Sequence, residues 1–594
     1  MTTDDLTTGE NLEKLNDNIV KIEELSARLV SAIANKRTYD QGLAGPGQDV
    51  YMKAAGAYWA DMLANPSKMF EQQAAYWGQT LQHFVEAQRA LAEGNLASPE
   101  DNTPSDRRFA NPLWQTNPYF NFVKQQYSLN AAAVEKAVAG IEGLEPRDQQ
   151  RVEFFSRQII DAFAPTNFLA TNPDALERAV ETDGQSLVDG LNNLVRDIEA
   201  SEGELLVTLA DKDAFSVGKN IATTPGQVVF RNRMFELIQY APTTEKVHKT
   251  PLVIFPPWIN KFYILDLKEK NSLIKWVVDQ GFTLFVVSWA NPDASYADVG
   301  VDTYVEEGFL AAIDQVKEIT GEKQVNAVGY CIAGTTLSMT LAYLAKKKDK
   351  SVKSATFFTT VTDFSDQREF TPFLSDDFVD GIEREASEAG YLDSFFMSRT
   401  FSYLRPNDLI YQPAIRSYMM GETPPAFDLL YWNGDSTNLP ARMVIEYLRE
   451  LCQENRFADK GIELLGERLH ISDVNVPLTA VACETDHIAN WQDSFRGVNM
   501  MGSKSKQLIL SESGHIAGIV NPPSKKKYGH YTNDDNGLTQ EDWREGATYN
   551  EGSWWPRWGE WLAKSAGAKV PARDIKDPIC AAPGTYVLSR EDEA

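Results

Sequence analysis

The sequence predicts an α/β fold: a mostly parallel sheet covered by helices on both faces, preceded by a mostly helical N-terminal domain. Three observations indicate this. Short apolar runs alternate with helical segments across residues 213–361 and again from residue 478. A strand-like run passes through one tight turn into a helix at residues 325–345. About 70 aromatic, proline-containing residues interrupt the alternation after Asp363. Short apolar runs separated by helices are typical of parallel strands buried on both faces.

Two domains are expected, because the chain has 594 residues. We assign residues 1–212 to the helical N-terminal domain and residues 213–594 to the α/β domain. Within residues 1–105, three apolar stripes at helical spacing are rich in large side chains. The stripes form either ordinary helical core or a surface that docks on a hydrophobic body or on partner helices. The second stripe spans residues 52–62 and the third spans residues 70–91. The first stripe contains Leu12, Leu15, Ile19, Ile22, Leu29 and Ile33.

The α/β domain begins with a predicted hairpin at residues 228–230 and 236–240. The predicted elements that follow are a strand at 252–255, a helix at 271–279, a strand at 283–288, a helix at 304–320, a strand at 325–328 and a strand at 355–359. Residues 362–435 then form a predicted cap or lid, because so long a connection inside an α/β unit commonly covers a site. Strands return at residues 478–481 and 507–510.

The turn at residues 329–334 reads Gly-Tyr-Cys-Ile-Ala-Gly, with a thiol at its apex. This is the pattern of the nucleophile elbow of the α/β-hydrolase fold, with sulfur in place of the usual serine oxygen. The following helix directs partial positive charge at Cys331 and favours its thiolate. The alternative is that Cys331 is a buried structural cysteine. Ala333 stands where the pattern has glycine, and a glycine follows only at Gly334.

An acid and a base follow two later strands of the predicted sheet. Asp486 follows the strand at residues 478–481, and His515 follows the next strand. Catalytic groups of such sheets lie at the carboxyl ends of strands, and the order nucleophile, acid, histidine is that of the α/β-hydrolase fold. The sequence therefore predicts a Cys331–His515–Asp486 site. His487 is the alternative base, and Asp363 is the alternative acid.

An oxyanion hole in this fold combines two backbone amides. The first belongs to the residue after the nucleophile, which is Ile332. The second comes from the loop after the strand at residues 252–255, which begins with two prolines and therefore with no donor. Trp258 is the first available donor, and Ile259 is the next.

Composition excludes several classes of function. Net charge is −27, from 84 acidic and 57 basic residues, which disfavours nucleic acid as a partner. The four cysteines have no metal-type spacing and no disulfide framework, which fits a reducing compartment. The N-terminus is acidic and polar, so no signal peptide is expected. The longest apolar runs are too short for a transmembrane segment.

Further motifs are similar to those of class I polyhydroxyalkanoate synthases. The motifs that carry the resemblance lie at residues 256–267, 288–293, 329–332, 401–408, 427–435, 486–488, 514–523 and 553–556. The resemblance extends from about residue 106 to residue 587. The sequence departs from the family pattern at Ala333 and at Trp258, where members often carry a smaller residue.

The resemblance implies polymerisation of short-chain (R)-3-hydroxyacyl-CoA into storage polyester with release of CoA. Cys331 would carry the acyl group, and His515 would be the general base. Asp486 would either orient the imidazole or activate the 3-hydroxyl of the substrate. Candidate substrate-binding residues are Ile259, Asn260, Tyr330 and His487. No metal or other cofactor is implied, because CoA is part of the substrate and the leaving group.

The resemblance also implies a cytoplasmic protein on polyhydroxyalkanoate granules, a homodimer formed through the cap, and granule accessory proteins as partners of residues 1–105. Three alternatives stay open. One is a cysteine-dependent hydrolase or thioesterase of the same fold, and another is a medium-chain synthase. The third is a non-catalytic granule-binding protein, which the presence of Cys331, Asp486 and His515 disfavours.

Overall fold

The computed structural model describes residues 17–18, 20–32, 54, 56–57, 76, 85, 105–201, 203 and 205–589. The chain divides into two compact units. The first contains Met1–Asp211 together with Arg399–Pro425, and the second contains Lys212–Ser398 together with Ala426–Ala594. The division after Asp211 lies one residue from the predicted domain boundary. Arg399–Pro425 falls within the predicted cap at residues 362–435, yet it packs with the helical unit, so the cap does not form one body.

The first unit is helical in the part that the structure describes. Its helices before the α/β domain are Leu113–Thr116, Pro118–Ala139, Pro146–Ala162, Pro173–Glu181 and Gln185–Ala200. Asn117 and Asn172 begin two of these helices by accepting backbone N–H groups of the first turn. Residues 399–425 add the end of the helix Ser394–Leu404, the short helix Gln412–Ala414 and π-helical turns at Asn407–Tyr411 and Ile415–Met419.

Close packing explains why residues 399–425 belong to this unit. Gly190 leaves no room for a Cβ, which would overlap the carbonyl of Tyr418. Asn193 donates to the carbonyl of Ser417 over 3.1 Å, and the Tyr418 hydroxyl donates to the buried Asp197 carboxylate over 2.9 Å. A glycine and buried polar partners on one helix therefore select this segment, which no local pattern in residues 399–425 indicates.

The first predicted apolar stripe is partly described, within a helix at residues 20–32. Its buried side chain is Leu25, which packs with Val188 and Val195, and Leu29 packs beside it. Ile22, a member of the predicted stripe, is exposed. The predicted face is therefore wrong at this turn of the helix. The two other stripes, at residues 52–62 and 70–91, lie almost entirely outside the described residues.

The second unit is built on one large mixed sheet, which has eleven strands within the described residues. The strands are β1 (Gly226–Arg231), β2 (Phe235–Tyr240), β3 (Leu252–Phe255), β4 (Leu284–Trp289), β5 (Val325–Tyr330), β6 (Val352–Phe358), β7 (Leu478–Cys483), β8 (Lys506–Ser511), β9 (His530–Thr532), β10 (Thr548–Asn550) and β11 (Cys580–Ala581). Their spatial order is β10-β9-β8-β7-β6-β5-β3-β4-β2-β1-β11.

Strands β3 to β8 pair in parallel, and β1, β2, β9, β10 and β11 are antiparallel additions. Strands β3, β4, β5 and β7 are buried along their whole length, as their continuous apolar runs predict. The parallel pairing brings the carboxyl ends of β5, β6, β7 and β8 to one edge of the sheet. The predicted fold class is confirmed, with a hydrolase-type sheet and a helical N-terminal region.

The second unit also contains helices. Within the described residues they are Leu273–Asp279, Val301–Thr303, Ala311–Thr320, Ile332–Lys346, Asp376–Ala389, Asp428–Asn433, Ala441–Glu446, Trp491–Met500, Gln540–Glu545 and Trp555–Ser565. Minor strand pairs are Lys246–His248 with Lys569–Pro571, Tyr391–Leu392 with Leu439–Pro440, and Ile462–Leu464 with Glu467–Leu469. Across the described residues, no helix combines the length and apolar character needed to cross a membrane.

Candidate active site

Cys331 lies at the turn between β5 and the helix Ile332–Lys346, in a strained backbone conformation with φ 54° and ψ −125°. Its amide donates to the carbonyl of Phe358 at the end of β6 over 2.8 Å. A non-glycine residue with positive φ is costly and persists only where the surroundings impose it. The turn leaves the thiol partly exposed at the carboxyl edge of the sheet.

Two glycines make this turn possible. A Cβ on Gly329 would lie 2.5 Å from the Cα of Gly334, so strand and helix touch backbone to backbone. A Cβ on Gly334 would overlap the hydroxyl of Thr360. Ala333, the departure from the elbow pattern, is fully buried without disturbing the turn. Of the two positions after Ile332, the one that requires glycine is therefore 334 and not 333.

Asp486 and His515 are brought together by the loops after β7 and β8. His515 Nδ1 and Asp486 Oδ2 are 2.7 Å apart. The other carboxylate oxygen accepts the amides of Ile488 over 2.8 Å and Ala489 over 2.9 Å. Because both oxygens are engaged, the carboxylate fixes the orientation of the imidazole and leaves Nε2 directed away from Asp486.

The nucleophile candidate also acts on His515: Cys331 is near enough for its sulfur to affect the charge of the imidazole. Burial alone would lower the pKa of His515, but the Asp486 carboxylate and the Cys331 sulfur outweigh burial and raise this pKa to about 10. The Tyr330 ring stacks on the imidazole at a centroid distance of 5.9 Å. The three predicted residues thus form one contiguous cluster.

The alternative acid and base have other surroundings. Asp363 accepts hydrogen bonds from Asn455 over 2.8 Å, Ser365 over 2.8 Å and the Arg496 guanidinium over 3.0 Å, rather than from an imidazole. His487 is partly buried in the loop that carries Asp486, whose carboxylate is bonded to His515 instead. The geometry therefore pairs Asp486 with His515.

The candidate oxyanion donors belong to two segments of the chain. Ile332 is the first residue of the helix after Cys331, and Trp258 and Ile259 are in the loop after β3. Across the described residues, no acceptor takes a hydrogen bond from the amides of Ile332, Trp258 or Ile259. The Trp258 side chain is buried, and its indole donates to Thr336 over 3.2 Å. These amides are thus available to a ligand oxygen.

The loop after β3 is held by residues that the sequence reasoning missed. Buried Lys261 contacts Asp435 over 2.6 Å and donates to the carbonyl of Ser589 over 3.0 Å. The Trp432 indole donates to the Lys261 carbonyl over 2.7 Å, and the Thr437 hydroxyl donates to the Trp258 carbonyl over 3.2 Å. Lys261 and Asp435 belong to motifs at residues 256–267 and 427–435, but their pairing has no signal in the sequence.

A second missed residue is Tyr447, on the π-helical turn Tyr447–Gln453. Its ring meets Trp258 and Phe364 edge to face, both at centroid distances of 5.9 Å. Burial, followed by the sulfurs of Cys452 and Cys331, raises the pKa of Tyr447 well above its ordinary value. The three rings therefore form an aromatic group, and Tyr447 is the member that interacts electrostatically with the Cys331 sulfur.

Fold and cluster together define a member of the α/β-hydrolase class with sulfur at the nucleophile position. Residues 251–522 match the family model described as "alpha/beta hydrolase fold". Residues 105–277 match the model described as "Poly-beta-hydroxybutyrate polymerase (PhaC) N-terminus".

Relatives of known name extend the match over most of the chain. A poly(3-hydroxyalkanoate) polymerase of Methylorubrum extorquens is 44% identical over 88% of this chain and 86% of its own length. Polymerase subunits of Rhizobium etli and Rhizobium meliloti are 40% and 39% identical, over 90% and 95% of this chain and 85% and 92% of their own lengths. The chain belongs to the poly(3-hydroxyalkanoate) polymerase family of acyltransferase-type enzymes.

Proposed function

We propose that this protein polymerises short-chain (R)-3-hydroxyacyl-CoA, of the 3-hydroxybutyryl type, into polyester and releases CoA through an acyl-Cys331 intermediate. The names of the relatives support polymerisation of 3-hydroxyalkanoates. The observation that carries the chemistry is the His515 imidazole, which is hydrogen-bonded to Asp486 and interacts electrostatically with the Cys331 sulfur.

In the first half-reaction, the Cys331 sulfur attacks the thioester carbonyl of the substrate. An imidazolium at His515, which its raised pKa favours, stabilises negative charge on the neighbouring sulfur. The amides of Ile332 and Trp258 would stabilise the oxyanion, with Ile259 as the alternative second donor. The bond from carbon to the CoA sulfur breaks, and His515 donates its proton to the departing thiolate.

In the second half-reaction, a hydroxyl oxygen attacks the acyl-Cys331 carbonyl. Neutral His515 accepts the hydroxyl proton, the carbon–sulfur bond to Cys331 breaks, and an ester forms. Thiolate and imidazolium are thereby restored. For Asp486 we propose the orienting role, because one oxygen is bonded to His515 and the other accepts two backbone amides.

The preference for short acyl chains is supported by Tyr447, because a large side chain near Cys331 limits the room for the acyl group. Contacts with the rings of Trp258 and Phe364 hold Tyr447 in place. Ile259, Asn260, Tyr330 and His487 are proposed to contact substrate. The proposed reaction needs no metal or other resident cofactor, since CoA enters as part of the substrate.

Resemblance to the family supports the remaining proposals. The protein would work in the cytoplasm at the surface of polyester granules, as a homodimer formed through the cap. Accessory granule proteins would be partners of residues 1–105.

The test is product analysis with (R)-3-hydroxybutyryl-CoA. The wild-type protein should release CoA in step with formation of insoluble polyester, and Cys331→Ala should abolish both. CoA release with free hydroxy acid as the sole product would establish the thioesterase alternative and contradict the proposal. Five-, six- and ten-carbon substrates tested in parallel report the chain length, and a preference for ten carbons would contradict the short-chain assignment.

A further inference from the structure

The loop that carries His515 lies against two buried tryptophans from the C-terminal part of the chain. Trp554 and Trp555 are 0% and 1% exposed, at the start of the helix Trp555–Ser565. Their indole N–H groups donate to consecutive backbone carbonyls of the loop: Trp554 to Gly518 over 2.7 Å, and Trp555 to Ile519 over 2.8 Å. These two carbonyls follow His515 within four residues.

The loop is compact, so a shift at Gly518 is transmitted to His515. The Gly518 amide donates to the carbonyl of Gly514 over 2.8 Å, and the Val520 amide donates to the carbonyl of Ile516 over 2.8 Å. Gly514 and Ile516 are the two chain neighbours of His515. The two indole N–H groups therefore bond to a turn that is hydrogen-bonded to both chain neighbours of His515.

Gly518 is also confined from the opposite side. A Cβ at this position would overlap the sulfur of Cys483, the last residue of β7. The Ser511 hydroxyl adds a second hydrogen bond to the Gly518 carbonyl over 3.1 Å. Trp554 thus holds Gly518 against the end of the strand that precedes Asp486, which sets the position of one loop relative to the other.

Trp554 reaches the nucleophile side of the site as well. Its ring meets the Phe358 ring edge to face at a centroid distance of 5.2 Å. The carbonyl of Phe358 accepts the amide of Cys331 over 2.8 Å. The Trp554 side chain therefore contacts both the loop that carries His515 and Phe358, the residue whose carbonyl accepts the Cys331 amide.

We propose that Trp554 and Trp555 are positioning residues for His515, acting through their indole N–H groups. The inference rests on the proposed role of His515 as the base in acyl transfer. Small displacements of a catalytic group, of about 1 Å, can cost about 100-fold in rate. Loss of either indole donor should therefore lower turnover without weakening substrate binding.

Trp558 provides a matched control. It is fully buried in the same helix, and its ring meets Phe358 at a centroid distance of 5.4 Å. Its indole N–H donates to the Thr356 hydroxyl in β6 over 3.0 Å, rather than to the His515 loop. Trp558 also packs against the Trp554 ring at a centroid distance of 5.9 Å. Trp558→Phe therefore removes an equivalent buried donor and the same volume from this aromatic packing, but it removes no hydrogen bond to the His515 loop.

The experiment compares Trp554→Phe, Trp555→Phe and Trp558→Phe in the full chain, with CoA release from (R)-3-hydroxybutyryl-CoA as the assay. For Trp554→Phe and Trp555→Phe, kcat should fall about 10- to 100-fold, with KM within about two-fold of wild type. The pH profile of kcat should also shift, because a displaced imidazole loses part of the Asp486 contact that raises the pKa of His515. Trp558→Phe should keep kcat within about two-fold and leave the pH profile unchanged.

Wild-type kcat in Trp554→Phe and Trp555→Phe, or an equal loss in Trp558→Phe, overturns the proposal. If Trp554→Phe does not fold, Ser511→Ala removes the other donor to Gly518 and should lower kcat in the same direction. His515→Gln distinguishes failure of the proposed base role of His515 from failure of the positioning role of the two tryptophans. An inactive His515→Gln beside normal tryptophan variants overturns only the positioning role, whereas an active His515→Gln overturns the base role and the positioning role with it.

Discussion

Two aspartates follow neighbouring strands of the sheet, and the structure gives them different partners. Asp363 follows β6 and Asp486 follows β7, and each residue is 4% exposed. Asp486 directs one oxygen at the His515 imidazole and the other at two backbone amides. Asp363 accepts hydrogen bonds from Arg496, Asn455 and Ser365.

Equal burial shows that burial does not distinguish the carboxylate bonded to an imidazole from the one bound by a guanidinium. A carboxylate bound by a guanidinium is already compensated and has little left to offer an imidazole. Asn455 also accepts the Phe364 amide over 2.8 Å, so Asp363 joins the start of the inserted segment to the part of the chain near residue 455. The partner of the carboxylate therefore indicates its role.

Of the two carboxylates, Asp486 should have the larger effect on activity when its charge is removed. In Asp486→Asn, the amide can no longer stabilise an imidazolium and favours the wrong tautomer of His515, so kcat should fall about 10³- to 10⁴-fold. Steady-state CoA release measures this loss. A fall of less than about ten-fold would mean that another carboxylate serves His515.

Removing the charge of Asp363 should affect stability rather than chemistry. In Asp363→Asn, the hydrogen bond from Arg496 loses its charged acceptor, so the free energy of unfolding should fall by about 1–3 kcal/mol. Urea denaturation measures this change, and kcat should stay within about three-fold of wild type. A loss of kcat comparable to that of Asp486→Asn would remove the distinction between the two residues.

The Asp363–Arg496 pair and the Asp486–His515 pair should lose their contributions to stability at opposite ends of the pH scale. Burial opposes ionisation of Asp363, but hydrogen bonds from Arg496, Ser365 and Asn455 outweigh it and lower the pKa of Asp363 below its ordinary value of 3.8. A lowered acid pKa contributes stability above 3.8 and loses it as pH falls through the folded-state pKa. For His515, with a pKa raised from 6.5 to about 10, the contribution is complete below 6.5 and is lost as pH rises towards 10.

Urea midpoints measured across pH test this contrast. Asp363→Asn should differ from wild type near neutral pH and converge with it in acid. His515→Gln should differ from wild type below pH 6.5 and converge with it towards pH 10. Convergence of both variants at the same end of the scale would contradict the assignment of the two pairs.

The smallest expected effect is that of one donor to Asp363. Ser365→Ala removes the hydroxyl that donates to Asp363 over 2.8 Å. The free energy of unfolding should fall by about 0.5–1.5 kcal/mol, since Arg496 and Asn455 still bind the carboxylate. The urea midpoint measures the change, and a loss as large as that in Asp363→Asn would show that the hydroxyl, rather than the guanidinium, dominates.

Most of the sheet could be predicted from the sequence, because each buried strand is a short apolar run with few alternatives. The predicted strand at residues 478–481 is observed as Leu478–Cys483, and that at residues 507–510 as Lys506–Ser511. The helical unit was harder, because a helix face can rotate by one position at little cost to its pattern. Leu25, which the predicted stripe skipped, is the buried residue of its turn.

The cluster could be predicted because Cys331, Asp486 and His515 each follow a parallel strand. The carboxyl ends of these strands lie at one edge of the sheet, so the positions of the strands were enough to place the three residues near each other. No sequence pattern indicates the residues that support the cluster. Lys261 contacts Asp435, and Trp554 donates to Gly518, although each pair is far apart in the sequence. Such pairs are set by how the segments pack.

The sequence by itself determined the order of strands and helices, the strained turn at Cys331 and the chain order of thiol, carboxylate and imidazole, because these depend on local pattern and on connectivity. Only the tertiary structure decided which carboxylate meets the imidazole and which side chains hold its loop. It also decided that Arg399–Pro425 joins the helical unit. Those outcomes depend on contacts between residues far apart in the chain, where shape and buried hydrogen bonds select among partners that look alike in sequence.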